Sequence, residues 1–113
     1  MGLKQSTLDN GIGLIEPSGS FVGGDETDNL RRAITDFAGR DYSKLLIDLS
    51  SVTYMNSTAI GVLVSGLATY SKKGWQLKLC GVNKNIDSIF VITKLSLAFD
   101  VHETRKEAVA SFS

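Results

Sequence analysis

The run Lys44-Leu-Leu-Ile-Asp-Leu49 constrains the fold more than any other stretch of the chain. A short apolar run without the alternation of a half-exposed strand marks a strand buried on both faces, and so the centre of a covered sheet. Such a sheet needs helices, and the flanking segments supply them. Upstream, Leu30, Ala33, Ile34, Phe37 and Ala38 recur on one face of a helix. Asp25, Glu26 and Asp28 crowd its start, where the helix dipole favours anions, and Gly39 is placed for a left-handed residue after its end. Downstream, a second helix is expected from about Ser57 to Lys73, with Ile60, Leu63, Val64 and Leu67 as its core stripe. Lys72, Lys73 and Gly74 form its stop.

The remaining elements follow from similar signals. Leu3–Asp9 and Ile12–Glu16 read as strands joined at Asn10-Gly11, a two-residue hairpin signal. Pro17 should end the second strand, and Ser18 to Gly24 should be a glycine-containing loop. Ser50 to Asn56 is expected to turn the chain. Gln76–Cys80 alternates like a strand. Ile86, Ile89, Phe90 and Thr93 suggest a third helix, and Phe99–His102 a short edge strand. Thr104-Arg-Lys-Glu107 has capping-box form and should open a last helix carrying Ala108, Val109 and Phe112. The order β-β-α-β-α-β-α-β-α implies crossover units and a mixed sheet with helices packed against it.

The totals narrow the function. The 113 residues suit one domain over 1–113, and a 42% hydrophobic content suffices for one core. Twelve basic residues balance twelve acidic ones. A neutral chain has no broad electrostatic reason to bind nucleic acid or anionic lipid, so neither is expected as a direct partner. No apolar run approaches the ~20 residues of a membrane span, and the N-terminus lacks the apolar stretch of a secretory signal. Gly2 with Ser6 fits the loose myristoylation pattern, too short a pattern to weigh much. A single cysteine makes no internal disulfide, which suits a reducing cytoplasm.

Asn56-Ser57-Thr58 stands where a loop enters the second helix. These are natural N-cap side chains. The same place offers unpaired backbone N–H groups and the positive end of the dipole, so a phosphate added there would be stabilised. Two readings stand side by side: a plain helix cap, or a regulatory serine. With the stripe above turned to the core, Thr58, Gly61, Val62, Ser65 and Thr69 share an outward face that is small and uncharged. Gly61 and Gly66 each cost a helix about 1 kcal/mol relative to Ala, which suggests close approach by a neighbouring element or a partner.

Leu46-Ile-Asp-Leu-Ser50 followed by Met55-Asn-Ser-Thr-Ala-Ile-Gly-Val62 resembles the STAS family, the sulfate transporter and anti-sigma factor antagonist domains. The family pattern is a hydrophobic strand with Asp-Leu, a short loop, then Asp-Ser-(Ser/Thr)-Gly-Leu-Gly. Gly74-Trp-Gln-Leu-Lys-Leu-Cys-Gly81 is similar to the strand that follows, and Ser18-Gly19 begins the stretch where the family has a Gly-x-Leu-Asp motif. The resemblance implies an α/β, STAS-like single domain, a mixed sheet with about four helices packed mainly on one side. It also implies a non-enzymatic, cytoplasmic switch of the antagonist branch, with no cofactor, working as a monomer or weak dimer. When its serine is unphosphorylated, such a protein binds an anti-sigma factor that is also a serine kinase, and so frees a sigma factor. A serine phosphatase reverses the modification. Carried onto this chain, the phosphoacceptor is Ser57, and Asn56, Thr58, Gly61, Val62 and Ser65 bind the partner. Three positions depart from the pattern. Asn56 stands for the usual Asp, Ala59 for Gly, and Val22 falls about where the upstream motif has Asp. The alternative is a STAS scaffold or interaction module that is never phosphorylated.

Other chemistries fit less well. A serine hydrolase needs a base, and His102 is the only histidine, expected as an exposed edge residue. Ser57 lies outside any Gly-x-Ser-x-Gly elbow. Cys80 and His102 lack partners at zinc spacing, and Cys80 reads as a buried small hydrophobe. Ser18 to Gly24 lacks the Lys-Ser/Thr ending of a phosphate-binding loop. Trp75 reads as strand-edge packing.

Overall fold

The expected central strand, β3 (Lys44–Asp48), has Leu45, Leu46 and Ile47 fully buried and lies in the middle of a six-stranded sheet. The computed structural model describes residues 2–92, 94 and 98–112. Among them the chain runs β1 (Gly2–Thr7), β2 (Gly13–Phe21), α1 (Asp25–Gly39), β3, β4 (Ser51–Met55), α2 (Ser57–Lys72), β5 (Gln76–Cys80), α3 (Lys84–Ile92), β6 (Asp100–His102) and α4 (Arg105–Ser111). The sheet order is β1-β2-β3-β5-β6, with β4 paired to β2 beyond the end of β3. Among the described residues only β1 and β2 pair antiparallel. The other pairs are parallel, so the sheet is mixed.

Three of the helices cover one face. Ile15, Phe21, Leu45, Ile47, Leu77 and Leu79 of the sheet pack with Leu30, Ile34 and Phe37 of α1, Ile60 and Leu63 of α2, and Ile86 and Phe90 of α3. On the other face Ile12, Leu14, Leu46 and Cys80 meet Ala108 of α4. The expectation of four helices mainly on one side holds. Thr93, assigned to the third helix, lies outside the described residues. Trp75 packs edge to face on Tyr70 with ring centroids 5.6 Å apart.

Several boundaries differ from the sequence reading, each for a physical reason. The hairpin closes over three residues: Leu8 and Ile12 are hydrogen-bonded across it (N–H to O, 2.8 Å), and Gly11 takes φ +78°. That left-handed residue is the usual end of a three-residue loop. Pro17 does not end β2. Gly13–Ile15 pair with β3 and Ser18–Phe21 with β4, so Pro17 falls between the two parallel ladders, where no parallel partner calls on its missing N–H. Ser50 to Asn56 is not a turn but contains β4. Asn83 protects its outer edge by donating to the Val52 carbonyl (2.9 Å) and accepting from the Ile86 N–H (2.9 Å) at the start of α3. Gly39 stays in α1, and the left-handed residue after it is Asp41, at φ +61°.

Candidate functional site

The ends of β2 and β4 place the start of α2. Phe21 and Met55 are register partners, and the Asn56 N–H donates to the Phe21 carbonyl at 3.0 Å. Asn56 then adopts an extended conformation, and its Oδ1 accepts the Ala59 N–H at 3.0 Å. Asn56 is therefore the N-cap, and Ser57 is the first helical residue. The capping need is met by the amide, which leaves the serine out of it. Ser57 and Thr58 are exposed, and among the described residues the Ser57 hydroxyl makes no hydrogen bond. Of the two readings of this serine, the plain cap is the role of Asn56.

The β2–α1 corner sits against the same helix end. A Cβ on Gly23 would lie 3.4 Å from Thr58 Cγ2, so this loop packs on Thr58. The loop is held by Glu26, whose Oε2 accepts the Val22 N–H (2.9 Å), the Gly24 N–H (2.9 Å) and the Thr27 hydroxyl (2.6 Å). The Thr27 hydroxyl, followed by the Val22 N–H, draws the Glu26 carboxyl down to about 2. Glu26 thus stays charged at any physiological pH and fixes the corner, with Val22 exposed at its tip. The sequence reading saw Glu26 only as part of an acidic first turn. The signal that could have found it is a carboxylate two residues after a glycine corner, within reach of its free N–H groups.

The helix face differs from expectation in one pair of residues. Val62, assigned to the partner-binding face, is buried (4% exposed), whereas Val64, assigned to the core, is 38% exposed. The reason is that α2 buries two flanks. One faces the sheet through Ala59, Ile60 and Leu63, and the other faces α1 through Val62 and Gly66. A Cβ on Gly66 would lie 3.0 Å from Ile34 Cγ2, so α1 is the close neighbour that this glycine admits. Gly61 has open space where a Cβ would be. The exposed strip is therefore Ser57, Thr58, Gly61, Val64, Ser65, Ala68 and Thr69, free of charge until Lys72. Asn56, Thr58, Gly61 and Ser65 lie together at or near the exposed N-terminal half of the helix, and Val62 lies beneath it.

The other sequence candidates lie elsewhere. His102 is half-buried rather than exposed. On the α4 side of the sheet, its Nε2 meets Asp100 Oδ1 at 3.0 Å and the Ser111 hydroxyl at 3.2 Å. Helix α2 packs on the opposite side, so the sheet separates this imidazole from Ser57. Cys80 is fully buried, and burial, helped by the nearby Asp48 charge, pushes its thiol up to about 12. Among the described residues no three His, Cys, Asp or Glu side chains are grouped to hold a metal ion. No helix among them is long and apolar enough to cross a membrane.

Comparison with known proteins agrees with this fold. Residues 5–108 match the family model described as STAS domain. A Thermotoga neapolitana protein, named as the homologue of an anti-sigma factor antagonist, is 30% identical over 74 residues, spanning 66% of each chain. The crystal structure of a Thermotoga maritima protein titled as an anti-sigma factor antagonist superposes with a TM-score of 0.88. It has 21% identity and covers 96% of this chain and 92% of the other. The Bacillus cell fate determinant SpoIIAA in its phosphorylated form superposes with a TM-score of 0.77 at 12% identity, covering 96% of this chain and 97% of the other. At such identities the solved structures establish the shared fold alone.

Proposed function

The chain belongs to the STAS domain family, and on that premise we propose that it is an anti-sigma factor antagonist switched by phosphorylation of Ser57. Unphosphorylated, it binds an anti-sigma factor that is also a serine kinase and so frees a sigma factor. Phosphorylated, it lets go, and a serine phosphatase resets it. The setting is the cytoplasm.

One observation carries the reading. Asn56 caps α2, so Ser57 stands exposed at the first helical position with its hydroxyl unengaged. A kinase can reach this hydroxyl without dismantling the helix start. The phosphoryl group it gains meets free N–H groups and the positive end of the dipole. It also brings about −1.5 to −2 charges to the edge of an uncharged strip. A partner docked over Thr58, Gly61, Val64 and Ser65 would then have to desolvate a dianion, which weakens binding unless it supplies arginines. That relatives carry the name anti-sigma factor antagonist, and that one structural neighbour is titled as phosphorylated, supports the partner class and the modification.

The test is intact-mass analysis with peptide mapping of the protein from its own host, phosphatase inhibitors present. One phosphoryl group on Ser57 is the expected result. Ser57→Ala should keep binding the kinase but escape modification, and Ser57→Asp should bind more weakly than the parent. A second reading, a constitutive interaction module, draws on Asn56 in place of the usual Asp. Ser57 unmodified across growth conditions, with equal partner affinity for Ser57→Asp, would sink the switch and leave that module.

A further inference from the structure

Helix α4 is attached unlike the other three. It has seven residues, too few to hold a helix by itself, and Ala108 is its one fully buried residue. Val109 and Phe112 are only half-buried. The sheet beneath it is partly ionic. Leu14, Leu46, Lys78 and Asp100 are successive register partners across four strands, and Asp48, Cys80 and His102 form the next row. Glu16, two residues beyond Leu14, faces the same way.

The two ends of α4 are tied to these polar groups. At its start the Arg105 guanidinium donates to Asp48 Oδ2 from Nε (3.1 Å) and Nη2 (2.9 Å), and Nη2 also pairs with Glu16. At its end Lys78 Nζ donates to the Ser111 carbonyl (3.3 Å), while also pairing with Asp100 (2.7 Å), and the Phe112 ring sits 5.1 Å from the same ammonium. Ser111 also meets His102. Every one of these groups regains hydration when the helix lifts, so they resist opening far less than an apolar seam of the same size. The hinge is short, since Glu103 and Thr104 alone join α4 to β6, a three-residue edge strand.

We infer that α4 is a two-clamp latch, released as a unit from an otherwise folded domain, and that its release uncovers Leu14, Leu46 and Cys80. This opening is a local unit of the native ensemble, distinct from global unfolding.

Cys80 reports on it directly, because a thiol held fully buried under Ala108 reacts with an aromatic disulfide only after α4 leaves. The measurement is the rate of labelling of the full chain by dithiobisnitrobenzoate across sub-denaturing urea concentrations. The expected rate depends only weakly on urea, with a slope well below that of the equilibrium unfolding transition. Arg105→Ala should accelerate labelling in water about tenfold or more, the equivalent of one charge-assisted hydrogen bond. Phe112→Ala, at the other clamp, should accelerate it as well and serves if Arg105→Ala fails to fold. Ile34→Ala, on the opposite sheet face, should lower the urea midpoint without accelerating labelling in water. A wild-type rate carrying the full slope of global unfolding would overturn the inference. So would acceleration by all variants in proportion to their lost global stability.

Discussion

The two faces of the sheet solve the problem of cover differently. Under α1, α2 and α3 the seam carries no charged group and is apolar but for the buried Thr27 and Tyr70 hydroxyls, with Leu30, Phe37, Leu45, Ile47, Leu63 and Leu79 essentially without solvent exposure. Under α4 the apolar cluster is small and shares the face with Glu16, Asp48, Lys78, Asp100 and His102. Hydrophobic cover scales with area removed from water, carries no titrating group and is not screened by salt. Ionic cover is weaker and depends on both. The first face fixes α2, and so the geometry of Ser57. The second fixes α4 only conditionally. If α2 docks a partner and α4 is released as proposed, a rigid face stands behind the first and an ionic one beneath the second.

The comparison breaks most visibly under large-to-small substitution. Leu30→Ala, fully buried in α1, should cost about 3 kcal/mol of unfolding free energy through lost transfer energy and a cavity. Val109→Ala, half-buried in α4, should cost about 1 kcal/mol. Urea unfolding of the two variants checks this, and equal losses would show that α4 belongs to the main core after all.

Acid should act next, and chiefly on the α4 face. Burial opposes the Asp48 charge, but the Ser50 hydroxyl and amide and the Arg105 guanidinium outweigh it and hold that carboxyl below its ordinary value of 3.8. Lys78, by hydrogen bond and charge, lowers Asp100 from the same value, against a smaller desolvation effect. A depressed carboxyl contributes stability that is complete above its unfolded value and is lost as pH falls through its folded one. Both groups should therefore weaken the α4 clamps below about pH 4, and Glu26 should follow near its own value of about 2 on the other face. Asp48→Asn should lose about 2 kcal/mol at neutral pH, because it leaves Arg105 with Glu16 alone, and should show a flatter acid dependence. Urea midpoints measured down the pH scale, beside Cys80 labelling with a dipyridyl disulfide, whose protonated ring keeps it reactive toward thiols in acid, give the order of events. Loss of the α1–α3 face before Cys80 becomes reactive would contradict it.

What the sequence made legible follows the same division. β3 carries a strong signal as an unbroken apolar run buried on both faces, α1 as a single apolar stripe and the start of α2 as a cluster of capping side chains, and the element order apart from β4 was readable. β4 was hidden for a specific reason. The register shift between Gly19 and Ser20 inserts an extra residue in β4, so its buried residues, Val52 and Met55, are three apart. A bulged edge strand of that kind loses the period-two pattern by which strands are recognised. Val62 and Val64 were exchanged because a helix wedged between a sheet and a second helix buries two flanks, and periodicity alone does not say how wide the buried arc is. Asn56 and Ser57 were found together, but only the hydrogen bond to Ala59 separates the cap from the free hydroxyl. The ionic tie between Arg105, Asp48 and Glu16 spans 57 and 89 residues of sequence, beyond the reach of local pattern.

The finest test sets the two glycines of α2 against each other, since they sit on opposite sides of the same helix. Both lower helix propensity by about 1 kcal/mol relative to alanine. At Gly61 an added Cβ meets nothing within 4 Å, so Gly61→Ala should raise the stability of the free protein by most of that amount. At Gly66 the Cβ would press on Ile34 at 3.0 Å, and the crowding should cancel or reverse the gain. Thermal or urea melts of the two variants give the difference. If Gly61 persists because a partner lies close over this strip, Gly61→Ala should also weaken kinase binding while the fold gains stability. Opposite movements of stability and affinity in one variant are the mark of a surface kept smooth for docking. Unchanged affinity would move the contact off Gly61 and toward Thr58 and the Val22 corner.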